Sequence, residues 1–256
     1  VQWRGVPEDK ETHAVLVGKG VCFDSGGLSL KPANGMEDMK EDLAGAATVL
    51  GTLQALAMRK AKVNVAGVMA MVENIPSAKA QKPGDIVKSL KGITVEVINT
   101  DAEGRLVLGD ALWYAQERFK APVLIDLATL TGAIVVALGT EFAGLFANDE
   151  ALEKALVSAA NESGEKLWPM PVDESYDEQI VSDIADIRNT STVGRDGGAC
   201  TAAAFLKRFV LPDVKWAHLD IAGVALQQKP TLMCPKGGSG FGVQLLDRYI
   251  RDNLEK

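Results

Sequence analysis

The chain has 256 residues, of which 47% are hydrophobic and 24% charged, and its formal net charge is −7. These proportions are those of an ordinary globular protein with enough apolar residues to bury a sizeable core. The acidic balance, with no cluster of Lys and Arg to offset it, argues against a nucleic-acid-binding surface. The longest apolar run, from 133 to 138, is too short to span a bilayer.

Cysteine and histidine usage limits the redox environment and the kinds of metal site. The chain has three cysteines, Cys22, Cys200 and Cys234, and no two of them form a CxxC pair. This pattern predicts reduced thiols in the cytoplasm. Because His13 and His218 are the only histidines, any metal site must be built mainly from oxygen ligands. The first residues lack the apolar core of a signal peptide, and the missing initiator Met leads us to expect a piece of a longer protein.

Hydrophobic periodicity predicts strands and helices that alternate along the chain. Strands are expected at 13–17, 63–72, 93–98, 123–127, 143–148 and 216–221. Helices are expected at 36–59, about 105–119, 150–163 and 200–210, with a final amphipathic helix ending near 253. The alternation predicts an α/β fold with a mixed, mostly parallel central sheet and helices on both faces, a three-layer sandwich. No linker interrupts the pattern, so we expect one domain over residues 1–256.

A glycine-rich segment, residues 18–27, follows the first predicted strand. It matches neither GxxxxGK[ST] nor GxGxxG, so it is a weak candidate for a phosphate-binding loop. The glycines would instead let the backbone approach closely a site into which Lys19 and Asp24 point. On local grounds alone, Lys19 and the following Lys31 are better explained as solvated surface lysines.

The predicted helix 36–59 presents one acidic residue toward its buried face. Its apolar stripe consists of Met39, Leu43, Ala46, Leu50, Leu53 and Ala57. Asp42 lies three residues after Met39 and four before Ala46, so it projects toward the same face. A buried carboxylate needs a cation or a metal as its partner, which makes Asp42 a candidate ligand.

The stretch Asn99-Thr100-Asp101-Ala102-Glu103-Gly104-Arg105-Leu106 connects the strand 93–98 to the helix that begins near Arg105. Open α/β sheets keep their ligand sites at such strand-to-helix connections. A purely structural explanation is also open, in which Asp101 caps the helix and Glu103 is a first-turn acid facing the helix dipole.

The polar residues at strand ends and on the inward helix face have a distinctive charge balance. They are Lys19, Asp24, Lys31, Asp42, Asp101, Glu103 and Arg105. Four carboxylates that converge with two lysines would repel one another unless cations were present. Two divalent ions would carry +4 against the −4 of the carboxylates, which is the balance of a two-metal hydrolytic site. Zinc, manganese and magnesium all suit this ligand set.

The motifs around these residues resemble the leucyl (cytosol) aminopeptidase family. The resemblance covers nearly the whole chain through segments 17–20, 23–27, 29–31, 99–106, 129–133 and 217–223, of which 99–106 is the family signature. It implies the catalytic domain of a metal-dependent aminopeptidase that releases N-terminal leucine and other apolar residues from peptides by a two-metal activated water. It also implies a cytoplasmic homohexamer and a separate N-terminal family domain that is absent from this chain.

The resemblance also implies a role for each polar residue. A tightly held metal would take four ligands, which are Lys19, Asp24, Asp42 and Glu103. The second, more exchangeable metal would share Asp24 and Glu103 and add Asp101. A lysine ligates only as the neutral amine, so the cations would have to lower the pKa of Lys19.

The remaining implied roles are catalytic or concern the substrate. Lys31 would stabilise the tetrahedral oxyanion, and Arg105 would hold a bicarbonate that serves as general base. Met39, Thr129 and Ala222 are candidates for the pocket that receives the substrate side chain.

Two other functions remain open at this point. A two-metal phosphoesterase would share the carboxylate-rich site but gives no role to a ligating Lys19. An inactive binding or scaffold domain would keep only the fold, although all seven polar residues are present. Metal content discriminates, since a scaffold should purify without metal and show no thermal shift with divalent ions. Peptides are the expected partners, with neither nucleic acid nor membrane involved.

Overall fold

The computed structural model describes residues 1–230 and 234–255. The strands are β1 (Gln2–Arg4), β2 (Ala14–Asp24), β3 (Asn64–Asn74), β4 (Ile86–Lys88), β5 (Thr94–Glu96), β6 (Val123–Ala128), β7 (Ala143–Ala147), β8 (Leu167–Pro169), β9 (Ile187–Arg188), β10 (Lys215–Asp220), β11 (Leu226–Gln227) and β12 (Gly237–Gly238). The α-helices are α1 (Ala44–Met58), α2 (Gly104–Phe119), α3 (Gly132–Leu138), α4 (Glu150–Ser163), α5 (Glu174–Asp177), α6 (Gly198–Lys207) and α7 (Val243–Asn253). Two 3-10 helices occupy Met36–Leu43 and Glu178–Ile180.

Within the described residues, seven strands form the central sheet in the order β1-β3-β2-β6-β10-β7-β8. Strands β3, β2, β6 and β10 run parallel to one another, whereas β1 pairs antiparallel with β3 and β7 pairs antiparallel with β10. The predicted mixed, mostly parallel sheet is therefore confirmed.

Helices cover both faces of this sheet because its central strands are apolar on both sides. Leu16 of β2 packs in a cluster with residues of α1, α4 and α7, whereas its neighbour Val15 packs with residues of α2 and α6. Ile125 and Leu124 of β6 divide between the same two clusters. Successive side chains of a strand point to opposite faces, so the two clusters form the two interfaces of a three-layer sandwich.

The parallel strands end together at one edge of the sheet, and β2 extends beyond its neighbour there. β2 pairs with β6 only as far as Gly18, so Lys19 is the first residue past that pairing. β2 continues beside β3 to the pair Asp24 and Asn74, with a register shift between Val21 and Asp24. Open α/β sheets bind ligands at this carboxyl edge.

The helix predicted over 36–59 is wrong in its first part, which is a 3-10 helix over Met36–Leu43. A 3-10 helix has three residues per turn, so its side chains do not continue the α-helical phase of α1. The buried face of α1 accordingly includes Val49 and Leu56, whereas Leu50 of the predicted stripe is 49% exposed. Asp42 is nevertheless buried, as expected.

The strand predicted at 93–98 is shorter and lies outside the central sheet. Only Thr94–Glu96 forms β5, which pairs with β4 and β9 in a separate three-stranded sheet. The loop after β5 still leads directly into α2, so the predicted strand-to-helix connection is present.

Two further helix predictions are confirmed. Helix α4 covers Glu150–Ser163, and α7 ends at Asn253. His218 is a fully buried core residue whose Nδ1 lies 2.6 Å from Asp126 Oδ1. No helix in residues 1–230 and 234–255 combines the length and apolarity needed to cross a membrane.

Candidate metal and catalytic site

Three carboxylates meet at the carboxyl edge of the sheet. Asp24 ends β2, whereas Asp101 and Glu103 lie in the loop that precedes α2. Each offers a carboxylate oxygen, and these three atoms all lie within 4.8 Å of one another. The convergence that the sequence analysis inferred is therefore present for these three residues.

Lys19 and Asp42 join this cluster from β2 and the 3-10 helix. Lys19 Nζ lies 2.7 Å from Asp42 Oδ1 and 2.8 Å from Glu103 Oε1, and it donates to the Thr129 carbonyl at 3.1 Å. The Lys19 side chain is only 4% exposed. The interpretation of Lys19 as a surface lysine is therefore wrong.

Gly104 makes room for this lysine at the start of α2. A Cβ at position 104 would lie 2.6 Å from Lys19 Cε and 2.7 Å from Lys19 Nζ. The presence of glycine at this position of the signature thus has a steric explanation, because any side chain there would displace Lys19 from the cluster.

Lys31 approaches the cluster from the solvent side. Its Nζ lies 2.9 Å from Asp24 Oδ2 and also forms a close ion pair with Asp101 Oδ1. The Lys31 side chain is 21% exposed, so it is reachable from solvent but is not a free surface lysine.

The structural explanation of the signature as a helix cap does not fit these contacts. Glu103 occupies the N-cap position of α2 but makes no side-chain capping hydrogen bond. Its carboxylate and that of Asp101 are directed to Lys19 and Lys31 instead.

The protonation of the cluster follows from burial and from opposite charges. Burial by itself would lower the pKa of Lys19, but Glu103 and Asp42 outweigh it and raise that pKa above its ordinary value. Burial raises the pKa of the Asp42 carboxyl to about 6, although Lys19 opposes this shift. For Lys31, the bonds to Asp101 and Asp24 outweigh burial and raise the pKa. Both lysines therefore balance carboxylate charge as ammonium ions in this structure.

The donor set fits divalent cations. Asp42 Oδ2 and Glu103 Oε2 are buried and have no hydrogen-bond partner among the described residues. Leaving a buried carboxylate oxygen unpaired costs free energy, which a cation would recover. The residues that would hold cations here are Asp24, Asp42, Asp101 and Glu103, with Lys19 as a further donor once it is neutral.

Arg105 lies in the first turn of α2 and is 9% exposed. Burial lowers its pKa to about 10 against the opposing effect of Glu103 and Asp220, so the guanidinium stays charged at neutral pH. Its Nε has no hydrogen-bond partner in the described part of the chain. An unpaired, buried guanidinium N–H fits a small oxyanion such as bicarbonate.

The three pocket candidates lie in different surroundings. Thr129 is buried, and its Oγ1 donates to Asp42 Oδ1 at 2.8 Å, so its side chain is bonded to the carboxylate cluster. Met39 and Ala222 are half-buried, on the 3-10 helix and just after β10. An apolar cavity of about 270 Å³ has Leu43, Ala47, Ile221, Ala225 and Phe241 in its lining. None of the three pocket candidates lines this cavity. The pocket assignment stays a prediction.

Two asparagines that contact the site loops were not selected from the sequence. Asn74 ends β3 and bonds to Asp24, and the buried Asn189 follows β9 and bonds to the loop at 98–102. Asn74 had one usable signal, since a polar residue at the carboxyl end of a parallel strand lies at the ligand-binding edge. For Asn189 the sequence carries no such signal.

Comparisons with known proteins agree with one another. A model of the cytosol aminopeptidase family, catalytic domain, matches residues 1–247. A probable cytosol aminopeptidase of Cereibacter sphaeroides is 59% identical over the whole chain, which covers 52% of that protein. One of Ehrlichia ruminantium is 56% identical over the whole chain, which covers 51% of it. The chain thus spans about half the length of these curated relatives.

Solved structures of similar fold and sequence include a leucine aminopeptidase. A mutant of tomato leucine aminopeptidase is 45% identical with a TM-score of 0.84, over 96% of this chain and 45% of that one. The bottromycin maturation enzyme BotP is 40% identical with a TM-score of 0.88, over 98% of this chain and 53% of that one. With a family model matched over residues 1–247, the chain belongs to the cytosol aminopeptidase family.

Proposed function

We propose that residues 1–256 are the catalytic domain of a metal-dependent aminopeptidase that releases one N-terminal residue at a time from peptides. The observation that carries the proposal is the cluster of Asp24, Asp101 and Glu103, whose ligand oxygens lie within 4.8 Å of one another. Lys19 and Asp42 adjoin it, so the site combines four carboxylates with a buried amine.

We assign two divalent ions to this site, Mn²⁺ or Zn²⁺ or, alternatively, Mg²⁺. Lys19, Asp24, Asp42 and Glu103 would hold the tight ion, and Asp24, Asp101 and Glu103 the exchangeable one. When bound, such ions lower the pKa of a water molecule and polarise the scissile carbonyl. The orphaned oxygens of Asp42 and Glu103 support this assignment.

Lys31 and Arg105 are the proposed catalytic side chains. Lys31 is reachable from solvent and lies against Asp24 and Asp101, so its ammonium can donate a hydrogen bond to the oxyanion that develops on the substrate carbonyl. The unpaired Nε of Arg105 supports an anion site, and a bicarbonate held there would supply a general base.

The proposal extends to substrate and assembly. Met39, Thr129 and Ala222 are assigned to a pocket for leucine and other apolar N-terminal side chains. The tomato neighbour is named a leucine aminopeptidase, which supports this preference. We further propose that the longer protein contains an N-terminal family domain and works as a cytoplasmic homohexamer.

The test is hydrolysis of leucine p-nitroanilide by the chain after Mn²⁺ loading, beside the N-acetylated substrate and p-nitrophenyl phosphate. We expect cleavage of the free amine only, because an exopeptidase must recognise the α-amine. Lys31→Ala should lower the activity by about 100–1,000-fold. Lys40→Ala is the matched control, since Lys40 is an exposed lysine of the neighbouring 3-10 helix, with a side chain that is 69% exposed.

Each other outcome has a defined meaning. Cleavage of the phosphate ester without the anilide would favour a phosphoesterase. Two bound metals without any cleavage would indicate that activity requires the rest of the protein. Neither metal nor cleavage would refute the enzyme proposal for this chain.

A further inference from the structure

The three carboxylates at ligand spacing come from two separate backbone segments. Asp24 belongs to the end of β2, whereas Asp101 and Glu103 belong to the loop before α2. Their mutual spacing therefore depends on whatever fixes these two segments relative to each other. A side chain from a third segment, Asn74 at the end of β3, connects them.

The carboxamide of Asn74 bonds to both segments at once. Its Nδ2 donates to Asp24 Oδ1 at 2.9 Å and to the Thr100 carbonyl at 2.9 Å. The backbone carbonyl of Asn74 in turn accepts from the backbone N–H and the hydroxyl of Ser25, each at 2.9 Å. One residue thus ties the Asp24 side chain, the backbone after Asp24 and the residue before Asp101 together.

These bonds also fix the rotation of the Asp24 carboxylate. Oδ1 accepts from Asn74 and from the Gly26 N–H at 2.9 Å, which leaves Oδ2 directed at Lys31 Nζ. A carboxylate torsion is broad and roughly two-fold when nothing restrains it. Two donors on the same oxygen therefore select the orientation that presents Oδ2 to the site.

The rest of the loop is held from other directions. Thr100 Oγ1 donates to the Gly26 carbonyl at 2.6 Å and accepts from the Ser29 N–H at 2.8 Å. Asn189 accepts from the Ile98 N–H at 2.8 Å and donates to the Asn99 carbonyl at 2.7 Å. None of these bonds reaches the carboxylate of Asp24, Asp101 or Glu103, whereas the Asn74 side chain bonds to the Asp24 carboxylate directly.

We propose that Asn74 is a positioning residue for the metal-binding carboxylates. This inference rests on the proposed function and adds to it a residue that contacts neither the substrate nor the reacting atoms. Partners that orient metal ligands through hydrogen bonds typically change metal affinity or activity by 10–100-fold when they are removed. Asn74 acts through Asp24 and the Asp101 loop.

The experiment measures Mn²⁺ affinity by calorimetry and by the electron paramagnetic resonance signal of free Mn²⁺. Asn74→Leu keeps the approximate side-chain size and adds no charge but removes both donors. We expect its Kd for the weaker Mn²⁺ to rise by about 10–100-fold. Asn74→Ala, which removes the donors without adding bulk, should give the same rise and serves if the Leu variant does not fold.

Asn64→Leu is the matched control. Asn64 is the first residue of β3, about 33 Å of strand away from Asn74. Its buried Nδ2 donates to the carbonyls of residues 6, 9 and 11, so its loss also removes side-chain bonds to backbone. We expect this variant to unfold at a lower temperature in chelator but to keep the affinity for Mn²⁺.

A purely structural role for Asn74 predicts different data. It would lower the thermal midpoint in chelator and leave the Mn²⁺ Kd and the Mn²⁺-induced rise in midpoint unchanged. Folded Asn74 variants whose Kd stays within twofold of the unsubstituted chain would overturn the positioning role alone. An unsubstituted chain that binds no Mn²⁺ would instead refute the proposed function, and the role of Asn74 with it.

Discussion

Gly45 sets how closely α1 approaches the sheet beneath the site, and Gly45→Ala tests this. A Cβ at position 45 would lie 2.0 Å from the Leu127 carbonyl oxygen and 2.9 Å from the Lys19 backbone nitrogen. Both obstacles are backbone atoms of central strands, which cannot rotate away as a side chain can. The first turn of α1 must therefore move outward by more than 1 Å, because an ordinary contact begins at 3.4 Å.

The expected change in the free energy of unfolding combines a loss from overpacking with a gain in helix propensity. Overpacking a close-packed interior costs about 1–3 kcal/mol, and a rigid backbone obstacle places this case at the upper end. The better helix propensity of alanine returns up to about 1 kcal/mol. The net loss of about 2 kcal/mol in the free energy of unfolding corresponds to a midpoint lower by about 4–8 °C in a chain of this size.

The same movement affects the site, because Asp42 lies three residues before Gly45 and pairs with Lys19 at 2.7 Å. A displacement of about 1 Å is enough to reduce the rate of a positioned reaction by about 100-fold. Thermal unfolding in chelator, Mn²⁺ binding and leucine p-nitroanilide hydrolysis together measure both effects.

Gly51→Ala is the control in the same helix. The Cβ at position 51 would meet only the Val243 side chain, at 3.0 Å, which can yield by a few tenths of an ångström. We expect the Gly51 variant to be as stable as the unsubstituted chain within about 1 kcal/mol and to keep its activity. A Gly45→Ala variant with unchanged midpoint and activity would refute the argument that this close approach places Asp42.

Three further predictions concern charge. Lys31→Ala should lower kcat by about 100–1,000-fold while Mn²⁺ binds at least as tightly, because the ammonium no longer competes for its carboxylates; weaker Mn²⁺ binding would contradict this. Mn²⁺ binding at pH 7.5 should release about one proton from Lys19, whose carboxylate partners raise its pKa, as measured by calorimetry in buffers of different ionisation enthalpy. Lys19→Met should release about one proton fewer, and an unchanged release would assign the proton elsewhere. Asp149→Ala should lower the free energy of unfolding at pH 7 by about 1 kcal/mol, since Asp149 accepts from the Leu152 N–H at the start of α4. That bond lowers the pKa of Asp149, so its stabilisation is complete above pH 3.8 and should fade as pH falls through the folded pKa; a difference that grows toward acid pH would refute this.

Local patterns were sufficient where one short segment contains the whole signal. The alternation of apolar strands and amphipathic helices predicted the fold class, because side-chain periodicity is a property of each element alone. The signature at 99–106 likewise identified Asp101, Glu103 and Arg105 as one group, since they are neighbours in sequence.

Local patterns failed where packing selects the geometry. Nothing in residues 36–43 distinguishes a 3-10 turn from the start of α1, and the phase of the buried face changed with it. The run at 93–98 has good strand residues, yet its partners are β4 and β9 because strand pairing depends on distant segments.

The sequence by itself therefore determined the residue types of this site, and the tertiary structure decided their contacts. Lys19 between two glycines is indistinguishable from a surface lysine until β2 extends past β6 and places it against Asp42 and Glu103. Asn74 is 26 residues from Thr100 and 50 from Asp24, so its bonds exist only after β2 and β3 have paired. The physical reason is that a hydrogen bond or ion pair depends on distances of about 3 Å, and these are set by packing between segments rather than by the order of residues.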